Sequence, residues 1–241
     1  MRRKDNLNLT KNAKALVLFS GGQDSAVCLA WALENYNSVY TIGFDYRQRH
    51  KVELTCRENF LGKIRTDYLK WSEKLKQDFI IDLSFLSNIS NSALTRDLKI
   101  SNNGSLPNTF LPGRNILFFS VAATLASKMA ITQLVGGMCQ TDFSGYPDCR
   151  NDTLLSMERT LQLAFEEPIK IDLPLMFLNK CETWRLAYKL GGLPFVDLIR
   201  EETHTCYEGN REKNNLWGYG CGECPACQLR KEGYESFRSS R

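Results

Sequence analysis

The chain has 241 residues, 43% of them hydrophobic and 24% charged, with a net charge of +4. That suffices for one large domain, or one domain with an appendage, around an ordinary buried core. So small a net charge gives no argument for nucleic-acid binding, and the longest apolar stretch, 116–126, is broken by Ser120 and Thr124 and is too short for a membrane span.

From the start of the chain, Met1-Arg2-Arg3-Lys4-Asp5 leads into polar residues, not into the apolar run of a secretory signal. A cytoplasmic protein is expected, with neither membrane nor nucleic acid as partner. The nine cysteines are then free thiols or metal ligands rather than a disulfide framework. A first strand is expected over 15–19. Ser20-Gly21-Gly22-Gln23-Asp24-Ser25 follows, and then a helix over 26–36. A helix start after a strand presents unpaired backbone N–H groups and the positive end of the macrodipole to an anion. Gly21 and Gly22 let the backbone turn and approach a ligand closely, and Ser20 and Ser25 add hydroxyls. The geometry suits a pyrophosphate, although neither G-x-x-x-x-G-K-[ST] nor G-x-G-x-x-G is present.

Further strands are expected over 39–44, 64–69, 134–137 and 169–171, and helices over 48–61, 115–129, 153–164 and 180–190. Their alternation reads as βαβ units, hence an α/β fold with a parallel sheet. Gly191-Gly192 is a natural helix stop. The stretch 88–110 has little periodicity and is expected as a mobile segment beside the site. Domain limits are placed at 1–192 for the nucleotide-binding domain and 193–241 for a metal-binding C-terminal region.

Cys221, Cys224 and Cys227 form a C-x2-C-x2-C run, and Cys206 lies upstream with fourteen residues between it and Cys221. Four thiolates suit tetrahedral zinc, and an iron–sulfur cluster is the competing use. His204 is a rival fourth ligand, with packing or surface as its expected role. A closed set of four cysteines implies a structural ion, one per chain. A zinc ribbon that grips nucleic acid is disfavoured by the acidic residues among the tail's basic ones.

Polar clusters interrupt the apolar pattern at 44–50, 94–97, 112–115 and 141–150, three of them at expected strand ends or helix starts, where open α/β sheets bind ligands. Ser20-Gly21-Gly22-Gln23-Asp24-Ser25 resembles the loop of N-type ATP pyrophosphatases, the PP-loop. Together with Phe44–His50, Leu94–Asp97, Pro107 to Asn115, Thr205–Tyr207, Gly220–Cys227 and Thr-Asp-Phe-Ser-Gly-Tyr-Pro-Asp-Cys-Arg at 141–150, it makes the chain similar to the 7-cyano-7-deazaguanine synthase family over nearly its whole length. Arg47 stands where that family commonly has glycine, and 210–215 looks like an insertion that lengthens a loop without removing a metal ligand.

The resemblance implies a Rossmann-like sheet with helices on both faces, of the adenine nucleotide alpha hydrolase type, with a zinc-binding appendage. It implies an ATP-dependent ligase of queuosine biosynthesis. The substrates would be 7-carboxy-7-deazaguanine, ammonia and ATP with Mg²⁺, and the intermediates an adenylated carboxylate and an adenylated amide. The ATP-binding stretch is then Phe19, Ser20, Gly21, Gly22, Gln23, Asp24, Ser25, Ala26, Val27, Cys28 and Leu29. Asp24, Lys180 and Arg114 become catalytic candidates, Lys180 as the phosphate lysine of related enzymes. Asp142, Phe143, Tyr146, Asp148 and Arg150 become substrate-binding candidates, and Cys206, Cys221, Cys224 and Cys227 the metal ligands. A tRNA-modifying ATP pyrophosphatase, for thiolation or lysine attachment, is the alternative, and a zinc-ribbon adaptor without catalysis a further one. A homodimer is left open.

Overall fold

The computed structural model describes residues 13–101, 106–140 and 145–240. Strand β1 (Lys14–Leu18) enters α1 (Gln23–Asn35), and β2 (Ser38–Asp45) is followed by α2 (Val52–Asp67) and the short α3 (Leu69–Ser72). Then come β3 (Leu75–Asp82), α4 (Leu86–Ile89), α5 (Arg114–Lys128), β4 (Gln133–Val135), α6 (Asn151–Phe165), β5 (Lys170–Asp172) and α7 (Lys180–Glu202). The five strands form one sheet in the order β3-β2-β1-β4-β5, with every neighbour parallel.

Alternation along β1 divides the core. Ala15 and Val17 face one apolar cluster, with α1, α2 and α7. Leu16 and Leu18 face the other, with α5 and α6. A strand buried on both faces reads as an unbroken apolar run, which is how 15–19 reads. Each large side chain enclosed in this way contributes about 1.5–3 kcal/mol by leaving water. β1 leads to β2 and β3 on one side, while β4 and β5 lie on the other, so the order reverses between β1 and β4. Ligands of open α/β sheets bind outside the carboxyl ends of the strands at such a point.

The stretch expected as a strand over 64–69 is instead the end of α2 and the start of α3. Phe60, Leu61 and Ile64 are buried along one side of α2, a helical spacing carried past the expected end. The third strand is β3, whose Lys76, Gln77 and Asp78 hide its alternation. Charged residues are characteristic of an edge strand.

Helix α7 opens with a capping box in which Asn179 accepts from the Glu182 N–H and Glu182 accepts from the Asn179 N–H. It breaks at Gly192, at φ 68° and ψ −162°, two residues before Pro194, so the expected stop is real and a new turn starts at once. Beyond it, Phe195, Val196 and Ile199 pack into the same cluster as α1. The tail carries a two-residue antiparallel pair, β6 (Asn214–Asn215) with β7 (Gly218–Tyr219), and then α8 (Pro225–Ser239). Arg230 on α8 is fully buried. It donates to Trp217 O, Ile199 O and the hydroxyls of Thr203 and Thr205 at 2.9 Å each, which fastens the tail to the end of α7.

Candidate active site and metal centre

The loop after β1 is closed by its own serines. Ser20 N–H and Gly21 N–H donate to Ser25 Oγ at 3.2 and 3.3 Å, Ser25 Oγ donates to Gly22 O at 3.0 Å, and Gly22 N–H donates to Ser20 Oγ at 3.2 Å. Beneath it lies α2. A Cβ on Gly21, which sits at φ +102°, would come 2.5 Å from Glu53 O, so this position accepts glycine alone. Arg57 of α2 donates to Phe19 O at the loop entrance, to the Asp78 carboxylate and to Phe79 O, bracing loop, helix and β3 together.

Above the loop, Lys180 Nζ donates to Asp24 Oδ2 at 2.6 Å. Asp24 Oδ1 is buried without a partner, and so are both amide atoms of Gln23. From the tail, His204 N–H donates to Gly21 O at 3.1 Å. The His204 side chain is buried, and burial holds its pKa below the ordinary histidine value against the pull of Glu53 and Cys206. His50 Nε2 stands 3.4 Å from Glu53 Oε2.

A cavity of about 280 Å³ opens over the carboxyl ends of β1, β2 and β4. Phe19, Ser20, Gly22, Gln23, Asp24, Ser25, His50, Glu53 and His204 line its loop end. Its other end is aromatic, with Phe44, Tyr46, Phe118, Tyr146 and Tyr207 around Arg114. Phe44 and Phe118 stack at 4.2 Å. Burial pushes the Tyr46 phenol pKa up, and the facing Arg114 only partly offsets it. Among the described residues Arg114 has no carboxylate ion pair.

The candidate residues divide accordingly. Ala26, Val27, Cys28 and Leu29 anchor the loop from inside the core. Tyr146 lines the cavity, with its hydroxyl 2.6 Å from Thr109 Oγ1. Asp148 is buried and accepts from Asn115 N–H at 3.1 Å, a cap on α5 that holds Arg114 in place. Arg150 is exposed and lies away from the cavity lining. Asp142 and Phe143 lie outside the described residues. Of the 88–110 stretch, Leu94 reaches the cavity, and Leu94 O accepts from Arg49 N–H at 2.7 Å. His50, Glu53, Phe118, His204 and Tyr207 had no assigned place there. The spacing of His50 and Glu53, three apart at a helix start, was the one local hint.

Arg47 adopts φ 57°, the left-handed region that favours glycine. Its N–H donates to Asp45 Oδ1 at 3.0 Å, which fixes the turn between β2 and α2.

In the tail the sulfurs of Cys206, Cys221, Cys224 and Cys227 lie within 4.8 Å of one another. Cys221 and Cys227 sulfurs are 3.9 Å apart, and those of Cys206 and Cys224 4.0 Å. Zinc–sulfur bonds of 2.3 Å in a tetrahedron give edges of about 3.8 Å, so the donor set fits a zinc-sized ion. Backbone N–H groups of Cys221, Glu223 and Cys224 point at Cys206 and Cys221 sulfurs from 3.3 to 3.5 Å. Donation from the Cys224 and Cys227 thiols holds Cys206 well below the ordinary thiol pKa. The stretch 210–215 supplies β6 and Arg211, which lies 4.5 Å over the Tyr219 ring, and leaves the four cysteines together.

The sequence model of queuosine biosynthesis protein QueC matches residues 14–238. The chain belongs to the QueC family. It is 54% identical over 241 residues to the 7-cyano-7-deazaguanine synthase of Paraburkholderia phymatum, covering 99% of this chain and 97% of that one. It is 56% identical over 225 residues to that of Burkholderia mallei, covering 92% of each. As a QueC protein it is an ATP-dependent 7-cyano-7-deazaguanine synthase of queuosine biosynthesis, which sets aside the tRNA-modifying alternative. A 4-thiouridine synthetase solved with RNA and ATP shares the fold, with a TM-score of 0.54 at 18% identity, over 94% of this chain and 54% of that one. No described helix is long and apolar enough to cross a membrane.

Proposed function

We propose that this QueC chain makes the nitrile from 7-carboxy-7-deazaguanine and ammonia in one site, using two ATP. A substrate carboxylate oxygen attacks the α-phosphorus of ATP and pyrophosphate leaves. Ammonia attacks the acyl carbon, AMP departs and a proton is lost, giving the amide. The amide oxygen then attacks a second ATP. Loss of AMP and of the two N–H protons leaves the nitrile. Adenylation is needed twice because neither a carboxylate nor an amide oxygen is a leaving group by itself.

One observation carries this reading. Among the described residues, six of the eight buried side-chain atoms without a partner belong to cavity residues: Gln23 Nε2 and Oε1, Asp24 Oδ1, His50 Nδ1, Arg114 Nε and His204 Nδ1. Buried polar groups are ordinarily satisfied, so such a concentration suits a large polar ligand. The loop N–H groups would hold the leaving pyrophosphate, and Lys180 its charge. Asp24 Oδ1 would hold Mg²⁺, which supplies further charge neutralisation when bound with ATP. Arg114, with no acidic partner among the described residues, would hold the substrate carboxylate by a bidentate pair. Zinc on the four cysteines would be structural, since four protein ligands leave no open position.

Incubation with ATP, ammonium and 7-carboxy-7-deazaguanine, read by mass spectrometry, tests the reading. The expected outcome is the nitrile with two AMP and two pyrophosphate for each product. ADP and phosphate in place of AMP and pyrophosphate would contradict it.

A further inference from the structure

A second cavity, of about 250 Å³, lies between Ile100, Ser101, Pro107 and Thr109 on one side and the start of α8 on the other. Its walls include Ile100, Pro107, Ala226 and Leu229, and the exposed Gln228 and Glu232 mark its solvent side. Tyr146 and Tyr207 line both this cavity and the first. Two phenols are therefore the shared wall between the chambers. Tyr146 is fixed there by the 2.6 Å contact with Thr109 Oγ1 and by packing on Phe110 at 5.4 Å.

The proposed reaction brings three reactants together, and this inference rests on that reading. Two of them, ATP and a bicyclic base, need the larger cavity and its loop. Once they fill it, the acyl carbon is closed off on that side, as an adenylate prone to hydrolysis requires. The third reactant is the size of a water molecule and must still arrive.

We propose that the second cavity is the ammonia route. Glu232 draws ammonium to the mouth, the proton stays with bulk water, and neutral ammonia crosses to the Tyr146–Tyr207 wall. Carrying an unpaired ammonium past Ile, Leu, Pro and Ala side chains costs far more than carrying neutral ammonia. A neutral phenol can donate to the ammonia lone pair.

The test exploits the fact that the second half-reaction consumes no ammonia. Leu229→Trp fills the chamber from α8, and Ser101→Trp fills it from the opposite wall. Each is assayed after circular dichroism confirms folding. With carboxylate, ATP and ammonium, the KM for ammonium is expected to rise about tenfold with the KM for ATP unchanged. With the amide and ATP alone, the rate should stay at the wild-type level. An unchanged ammonium KM in both folded variants would overturn the route. So would a matching loss in the amide reaction, which would place the base itself in the second cavity. Failure of both half-reactions in the wild-type protein would instead overturn the reading under Proposed function, and the route with it.

Discussion

Lys180, the first residue of α7, pairs with Asp24, in the first turn of α1, at 2.6 Å and across 156 residues of chain. The pair stands at the mouth of the phosphate loop, so the lysine charge is already positioned before any nucleotide arrives. Lys180→Ala should fold normally and lose about 10²–10³ in kcat for pyrophosphate release, the scale of a lost preorganised charge donor. Lys180→Arg should recover part of it. A folded Lys180→Ala enzyme with wild-type turnover would remove this lysine from the chemistry.

Gly21 tests the loop's backbone. At φ +102°, with Glu53 O only 2.5 Å from where a Cβ would stand, Gly21→Ala must move either loop or helix. A cost of about 1–3 kcal/mol is expected, seen as a lower Tm together with a raised KM for ATP. An unaltered KM would mean that the loop conformation does not govern nucleotide binding.

Arg47 offers the opposite case. A non-glycine residue held at φ 57° is strained by about 1–2 kcal/mol, part of which the greater freedom of an unfolded glycine takes back. Arg47→Gly should therefore raise stability by about 0.5–1 kcal/mol in chemical denaturation. A loss of stability would show that the arginine side chain contributes more than its backbone costs.

The metal centre and the loop are mechanically joined, because His204, two residues before Cys206, donates its N–H to Gly21 O at 3.1 Å. Elemental analysis should find about one zinc per chain, and its removal by chelation should lower the Tm and raise the KM for ATP. Stoichiometric iron would contradict the zinc assignment. Metal loss that left the ATP KM unchanged would contradict the coupling.

Much of the site was legible because its determinants are local. The glycines and serines at 20–25 and the cysteines at 221–227 specify backbone shape and ligand chemistry within a few residues. What escaped was set by tertiary packing. The strand β3 was obscured because Lys76, Gln77 and Asp78 sit at a sheet edge, and Asp78 is there to meet Arg57 of α2. His204 read as packing, which it is, but its backbone also supports the loop from a distance that no sequence window covers. Asp148 read as a substrate-binding candidate, and the structure adds that its carboxylate accepts from Asn115 N–H at the start of α5.

The central claim is that one phosphate loop serves both adenylations. The amide, 7-amido-7-deazaguanine, given with ATP and no ammonium, isolates the second one. The wild-type enzyme should convert it to the nitrile with one pyrophosphate released for each product, and a folded Asp24→Ala variant should fail in this half as fully as in the first. Nitrile formation by Asp24→Ala at the wild-type rate, while the carboxylate half was lost, would require a second dehydration site and would contradict the account.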